Sequence, residues 1–488
     1  MKLVLGADSS TQSVKVEARA ADTGALIATG RASHPPTTPP VSEQDPLAWW
    51  AAFADAVQQL GAARNDVAAI SIAGQQHGLV LLDEAGEPLR PAKLWNDTTS
   101  APNADRLVDN LGASWWADRT GSVPVAAFTI TKLAWVAEHE PELLERVHKI
   151  MLPHDYLTYR LSGAHVTDRG DASGSGWFDA VGATTVTEAL VAATGDTGWE
   201  SRVPTVLGPT DTAGSILPEV ADQLGLPPDV LIGPGTGDNM GAALGLGLGE
   251  GDMVISLGTS GTVYARSAQR TGDPSGAVAG FCDATGQYLP LVCTLNATKV
   301  TDTIAALLGT DAPGLSELAL NAGTDVIEPT LVPYFDGERT PNRPNVRGLM
   351  AGLSTATSRE EVARAAHDGV LCGLLEGAQA LVDAGASDSG RLFLVGGGAQ
   401  SAAYRQRLAT IANKTVYVPK NDETVAVGAA LQAAAVCGDE GLDDLTRLWR
   451  VDTSDATEPT TDGNGAEIRE RYRNAASFDD GLCRPVVS

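Results

Sequence analysis

The chain opens Lys2-Leu-Val-Leu-Gly-Ala-Asp8-Ser-Ser-Thr-Gln-Ser13-Val-Lys-Val16. An apolar run ends on a carboxylate, a turn of small hydroxyl residues follows, and a second β-rich run leaves it. The pattern recurs near mid-chain, where Met253-Val-Ile-Ser-Leu257 passes through Gly258-Thr-Ser-Gly261 into Thr262-Val-Tyr264. Two such hairpins, about half a chain apart, predict two similar halves.

Between the hairpins, helices and strands alternate. Asp45-Pro46 reads as an N-cap and first helical position, with Leu47, Trp50, Phe53, Val57 and Leu60 on one face and a strand from Val67 to Ala73 behind it. In the second half, Ser358 and Glu361 form a capping box before an apolar stripe of Val362, Ala366, Val370, Leu374, Ala378 and Leu381, and Gly385 can end that helix. Leu392–Val395 reads as a strand, followed by helices from about Ser401 to Ala412 and from Thr424 to Val436. Such alternation predicts α/β architecture with mostly parallel sheets. The glycine-rich stretch around 244–252 divides the chain into 1–247 and 248–488. Residues 451–464 read as a linker or surface loop, Glu467–Arg473 as a short closing helix, and the end of the chain as an acidic tail.

Composition narrows the function classes. The 488 residues carry 34 Lys plus Arg against 61 Asp plus Glu, a net charge of −27, which repels nucleic acid. Five widely spaced cysteines form no CxxC pair, so neither a disulfide framework nor a zinc ribbon is indicated. No run of about 18 uncharged apolar residues predicts a membrane span, and nothing reads as a signal peptide. A cytoplasmic protein is expected. The Walker, Rossmann, protein-kinase and GxSxG signatures are all missing.

Several turns suit phosphate or sugar. Asp8 ends a strand before Ser10, Thr11 and Gln12, where a carboxylate can hold Mg²⁺ while turn donors face phosphate oxygens. Gly258 and Thr259 offer the same donors in the second half. Either one alone reads first as a plain hairpin turn, while the two at matched places favour a nucleotide. Gly233-Pro-Gly-Thr-Gly-Asp238-Asn239 runs from a strand into a helix, so Asp238 either caps that helix or serves as a catalytic carboxylate. Gly396-Gly397-Gly398-Ala399 presents either a flat surface for an adenine ring or a tight strand–helix turn. Gln76 and His77 follow the Val67 strand, and Trp95, Asn96 and Asp97 add a ring and polar groups suited to sugar hydroxyls.

These pieces, in this order, resemble the FGGY carbohydrate kinases from Leu3 to about Val436. Phe128–His139, Leu152-Pro-His-Asp-Tyr-Leu157, Thr167–Gly174 and Gly337–Pro341 extend the match. The resemblance implies an actin-like ATPase fold of two ribonuclease-H-like domains with a cleft between them. The first domain would bind sugar and the second nucleotide, with ATP and Mg²⁺ in the cleft. It implies Asp238 as the general base and Asp8 as the phosphate- and metal-associated carboxylate. Gln76, His77, Trp95, Asn96, Asp238 and Asn239 would contact sugar. Ser10, Thr11, Gln12, Gly258, Thr259, Gly397, Gly398 and Ala399 would contact nucleotide. The implied acceptor is a ketopentose, D-xylulose at O5. The alternatives are ribulose or gluconate within the family, or a non-catalytic actin-like nucleotide binder that would have no need of Asp238. A homodimer is left open. Ser10 replaces the family's usual glycine, Gln76 its common methionine, and Thr99 its frequent arginine.

Overall fold

A computed structural model describes residues 1–322, 328–460 and 464–478. The acidic tail expected at the end of the chain and Cys483 lie outside the described residues. The chain forms two compact units. Unit 1 comprises 1–248, 270–289 and 423–452, and unit 2 the remainder. The first crossing falls beside the predicted division at 247/248. The units are nevertheless not two contiguous stretches, because two later segments return to unit 1.

In unit 1, strands β1 (Leu3–Ser9), β2 (Ser13–Ala20), β3 (Leu26–Ser33) and β4 (Val67–Gly74) are joined by β5 (Gly214–Ser215), β6 (Leu231–Ile232) and β7 (Thr236–Gly237). The order is β5-β6-β4-β1-β2-β3, with β7 also on β4. β1 pairs in parallel with β4, as do β6 and β7, whereas β2 and β3 are antiparallel. The sheet is therefore mixed rather than mostly parallel: the hairpin that opens the half makes its first pairings antiparallel. β1 is buried on both faces through Leu3, Val4, Leu5 and Ala7, the pattern of a central strand.

The helix Pro46–Gln58 starts as predicted, with the Asp45 carboxylate accepting from the Leu47 N–H at 2.9 Å. Its core face is Trp49, Trp50, Phe53, Ala56 and Val57, and Leu47 is exposed. This face packs with Leu5, Val16, Ile70 and Ile72 in one apolar core.

In unit 2, β8 (Met253–Leu257), β9 (Gly261–Ala265), β10 (Tyr288–Thr294), β11 (Leu392–Val395), β12 (Val416–Pro419) and β13 (Ser454–Thr457) follow the order β10-β9-β8-β11-β12-β13. Counted within each unit, the third, second and first strands are again followed by later parallel ones, so the sheet plan recurs. β8 and β9 form the second predicted hairpin. The helix Arg359–Asp383 carries the predicted capping box, Ser358 and Glu361 each bonding the other's backbone N–H. Inside it, Asp368 holds a buried bidentate pair with Arg407 at 2.7 and 2.9 Å.

One expectation is corrected here. Part of the predicted loop at 451–464 is β13, which pairs antiparallel with β12. It is an edge strand with little buried side-chain surface, held by backbone bonds that leave no apolar alternation to read. The closing helix is also longer than predicted, Gly465–Ala476. Among the described residues no helix is long and apolar enough to cross a membrane.

The helix Thr424–Cys437 is buried nearly all round and belongs to unit 1. It meets the helix Asp238–Gly245 so closely that a Cβ on Gly428 would stand 2.0 Å from the Gly241 carbonyl oxygen. Gly→Ala inside a helix ordinarily stabilises by about 0.5–1 kcal/mol. Gly428→Ala is instead expected to destabilise by about 1–3 kcal/mol, because overpacking against backbone outweighs propensity. Urea-unfolding midpoints of the two proteins check this, and a raised midpoint would rule out the close approach.

Candidate active site

The sheet of unit 1 assembles the site. Asp8 of β1 is level with Ala73 of β4, and Ala73 with Thr236 of β7; Ser9, Gly74 and Gly237 occupy the next level. All three strands are parallel, so their carboxyl ends open on the same side, where ligands of α/β sheets bind. The chain beyond β4 is Gln75–His77, and that beyond β7 is Asp238 and Asn239.

Asp238 begins the helix Asp238–Gly245. Its Oδ1 accepts from the Asn239 N–H at 2.7 Å and from the Asn239 side-chain amide at 3.0 Å. The same amide donates to Gln76 Oε1 at 2.8 Å. Gln76, predicted as a sugar contact, thus also orients the partner of Asp238. The turn before Asp238 is closed by a ring of bonds: the Gly235 N–H donates to Ser71 Oγ at 3.2 Å, Ser71 Oγ to Gln432 Oε1 at 3.1 Å, and Gln432 Nε2 to the Gly235 carbonyl at 3.2 Å.

The two carboxylates are electrostatically coupled. Burial first, then the charges of Asp238 and Glu423, push the Asp8 carboxyl up to about 7 against the pull of Lys15 and Arg31. Asp238 is also pushed up to about 7, by burial above all and by Asp171, against the hydrogen bonds from Asn239. Asp8 Oδ1 is enclosed and has no hydrogen-bond partner among the described residues.

His77 is held in left-handed backbone with φ 66°, uncommon for a residue other than glycine and costing of order 1–3 kcal/mol. Its N–H favours the charged form of the Asp171 carboxylate, its carbonyl accepts from Thr129 Oγ1 at 3.2 Å, and Nδ1 lies 2.9 Å from the Gly174 carbonyl. The rings of Phe128 and Phe281 flank it at 5.0 and 5.4 Å. Buried Lys132, its pKa lowered by burial to about 7, holds the Phe128 segment by donating to the Ala126 and Ala127 carbonyls. These contacts hold the strained backbone in place.

The remaining predicted residues divide. Trp95 is 44% exposed, with a ring available for stacking, and its indole N–H donates to Thr11 Oγ1 at 3.0 Å. Asn96 is half-buried and its Oδ1 has no partner among the described residues. Thr11 Oγ1 donates to Gln75 Oε1 at 3.0 Å, and Ser10 Oγ to the Ser13 carbonyl at 3.0 Å. Both hydroxyl protons are therefore spent within unit 1, and the Gln12 side chain is exposed. In unit 2, Gly258 and Thr259 are exposed in their turn, and Gly397 is open, with nothing within 4 Å of a built Cβ. Gly398 and Ala399 are buried, a Cβ on Gly398 falling 2.6 Å from that of Leu257. The flat surface is thus Gly396–Gly397, while the other two serve packing.

Three participants carried no assigned role in the sequence reading. Gln75, beside Gln76, has a buried amide nitrogen without a partner among the described residues, as does Gln76 itself. His154 and Asp171 lie in quoted motifs, yet only the fold brings them together, at 2.8 Å.

Comparison with known proteins gives the class and the family. Residues 3–245 match the N-terminal domain and 253–437 the C-terminal domain of the FGGY family of carbohydrate kinases. The chain belongs to that family, whose members have the actin-like ATPase fold and use ATP as substrate. It is 48% identical to a xylulose kinase of Streptomyces coelicolor, over 92% of this chain and 91% of that protein. A second from Streptomyces rubiginosus is 47% identical over the same shares. The crystal structure of xylulose kinase from Bifidobacterium adolescentis superposes with a TM-score of 0.85 at 39% identity, covering 98% of this chain and 99% of that one.

A carboxyl whose folded pKa is raised binds more protons folded than unfolded, so its contribution to stability falls as pH rises. For Asp238 the window runs from about 4, its unfolded value, to about 7. Asp238→Asn removes this loss. It is expected to stabilise the protein at pH 8 by roughly 1–2 kcal/mol, discounted for partial exposure, and to change little at pH 4. Urea unfolding at both pH values measures it, and equal midpoints at pH 8 would show that Asp238 is not destabilised by burial.

Proposed function

We propose that the protein transfers the γ-phosphoryl group of ATP to the O5 hydroxyl of D-xylulose, yielding D-xylulose 5-phosphate and ADP, with Asp238 as general base. The observation that carries this reading is the Asp238 carboxylate, oriented by Asn239 and Gln76 at the ends of parallel strands beside Asp8. The relatives' names supply the sugar.

Phosphoryl transfer needs positioning, charge neutralisation and removal of one proton. As O5 forms its bond to phosphorus and the bond to ADP breaks, the hydroxyl proton passes to Asp238. His77, Asn96, Trp95 and the unpartnered amide nitrogens of Gln75 and Gln76 provide the ring and polar atoms for a ketopentose. Mg²⁺ fits the residues present: it takes one or two carboxylates together with phosphate oxygens, and Asp8 Oδ1 is a buried acceptor without a partner. Asp8 would hold the ion directly or through water, and the bound ion would neutralise phosphate charge. Gly258, Thr259 and Gly397 of unit 2 are assigned to the nucleotide.

D-Xylulose is expected to give the highest kcat/KM among D-xylulose, D-ribulose, L-ribulose, gluconate and glycerol in an ADP-release assay. A clear preference for another sugar overturns the acceptor assignment. Asp238→Ala should lower kcat by about 10²–10⁴, the usual worth of a general base. Wild-type turnover in that variant refutes the role. Because Asp238 must be ionised to accept a proton, kcat/KM should fall below about pH 7. Gln76→Met removes the acceptor of the Asn239 amide, so it should lower kcat on D-xylulose as well as alter sugar preference. Unchanged kcat would separate Gln76 from the base.

A further inference from the structure

His154 lies on the helix Pro153–Ser162 and is fully buried among three carboxylates. Its Nδ1 is 2.8 Å from Asp171 Oδ2, and its Nε2 is 3.1 Å from Asp155 Oδ1 and 3.8 Å from Asp168 Oδ1. An ionised carboxylate only accepts, so Nδ1 carries a proton. The Nε2 contacts are off the hydrogen-bonding direction and act as ion pairs. Burial alone would discharge the ring, but the surrounding charges more than offset it, raising its pKa to about 9.

The cluster has two arms. The Asp171 carbonyl accepts from the Gly174 N–H at 3.0 Å, the Gly174 carbonyl lies 2.9 Å from His77 Nδ1, and the His77 backbone N–H acts electrostatically on the Asp171 carboxylate, so Asp171 supports the left-handed His77 in the loop after β4. Asp168 accepts from Thr236 Oγ1 at 2.8 Å, two residues before Asp238, and from the N–H groups of Gly170 and Asp171 at 2.8 and 2.9 Å. The imidazole also touches the second arm directly: Gly235 has φ 76°, and a Cβ there would fall 2.4 Å from His154 Cδ2. A plain core histidine would need one partner. This one spans the sugar loop and the turn of the proposed base.

We infer that the buried His154 cation is a positioning residue for phosphoryl transfer, setting the sugar loop through Asp171 and the Asp238 turn through Asp168 and Thr236. The inference rests on the proposed sugar-kinase reading and adds a division of labour. The Asp171 arm governs acceptor binding, and the Thr236 arm governs the chemical step. Neither arm holds ATP. Without the cation, three carboxylates share one dry site, where they repel or take up protons, and both arms shift.

The test is steady-state kinetics on the full chain with the best sugar of the five-sugar panel, with ATP and sugar varied separately. Asp171→Asn keeps the shape but removes the charge, and should raise the sugar KM about tenfold or more with the ATP KM within about twofold. Thr236→Val should lower kcat by a similar factor with a near-constant sugar KM. His154→Gln should show both effects, and His154→Lys, which restores a cation, should recover most of each. If His154→Gln does not fold, the split between Asp171→Asn and Thr236→Val still decides. Falls in kcat with unchanged KM values in both of those variants would mean loss of active protein only, and would overturn the inference. Failure of His154→Lys to improve on a folded His154→Gln would do the same. A wild-type protein inert on the whole panel would sink the kinase reading together with this inference, whereas an active wild type without the split sinks this inference alone.

Discussion

The parallel register of β1, β4 and β7 is the constraint on which the site depends. It sets Asp8, Ala73 and Thr236 at one level, so the next residues of each strand emerge together. Side chains alternate faces along a strand, and a slip of one residue in β1 would put Ser9 where Asp8 now stands. What prevents the slip is distant from the chemistry. Leu3, Leu5 and Ala7 are buried against Val16, Phe53, Ile70 and Ile72, and Gly6 faces the helix Thr424–Cys437, where a slip would bring in a Cβ 2.0 Å from the Ala426 carbonyl oxygen. The apolar core therefore fixes where the two carboxylates meet.

Bringing carboxylates together in a chain of net charge −27 works against stability. Asp8 and Asp238 are both raised to about 7, and Asp155 and Asp168 to about 7 and 6, each chiefly by burial. The opposing cations are few: Lys15 and Arg31 pull on Asp8, and His154 sits among Asp155, Asp168 and Asp171. Strain at His77 adds to the same load. Violations of local preference gathered in one place are what a functional site looks like within a well-packed domain.

What the sequence made legible was local. Both hairpins, the Asp45 N-cap and the Ser358 capping box follow from residues within a few positions of one another. What it hid was pairing and return. Nothing in Val416–Pro419 or Ser454–Thr457 announces their antiparallel pairing, because the edge strand buries little. The small-residue helix Thr424–Cys437 reads simply as a helix, while its place in unit 1 depends on Gly241 and Gly428 meeting across some 190 residues. The Asp8, Asp238, Gln76 and His77 constellation was visible as motifs. Asp171 and His154 were visible only as letters, since a carboxylate acting through a backbone N–H leaves no spacing to recognise.

The first turn shows how a departure from the family pattern is absorbed. Ser10, in place of the usual glycine, gives both its N–H and its hydroxyl to the Ser13 carbonyl, so the side chain closes the turn it occupies. Thr11 places its single hydroxyl proton on Gln75 while accepting the Trp95 indole N–H. A hydroxyl donates once, and a phosphate oxygen requires a donor. Neither side chain can then serve phosphate without giving up a bond inside unit 1. The Thr11 hydroxyl in this turn is tied to Gln75 and Trp95. That hydroxyl couples the loop after β1 to the loop after β4, which is how the carboxylate at the end of one strand and the amides at the end of the next stay in a single arrangement.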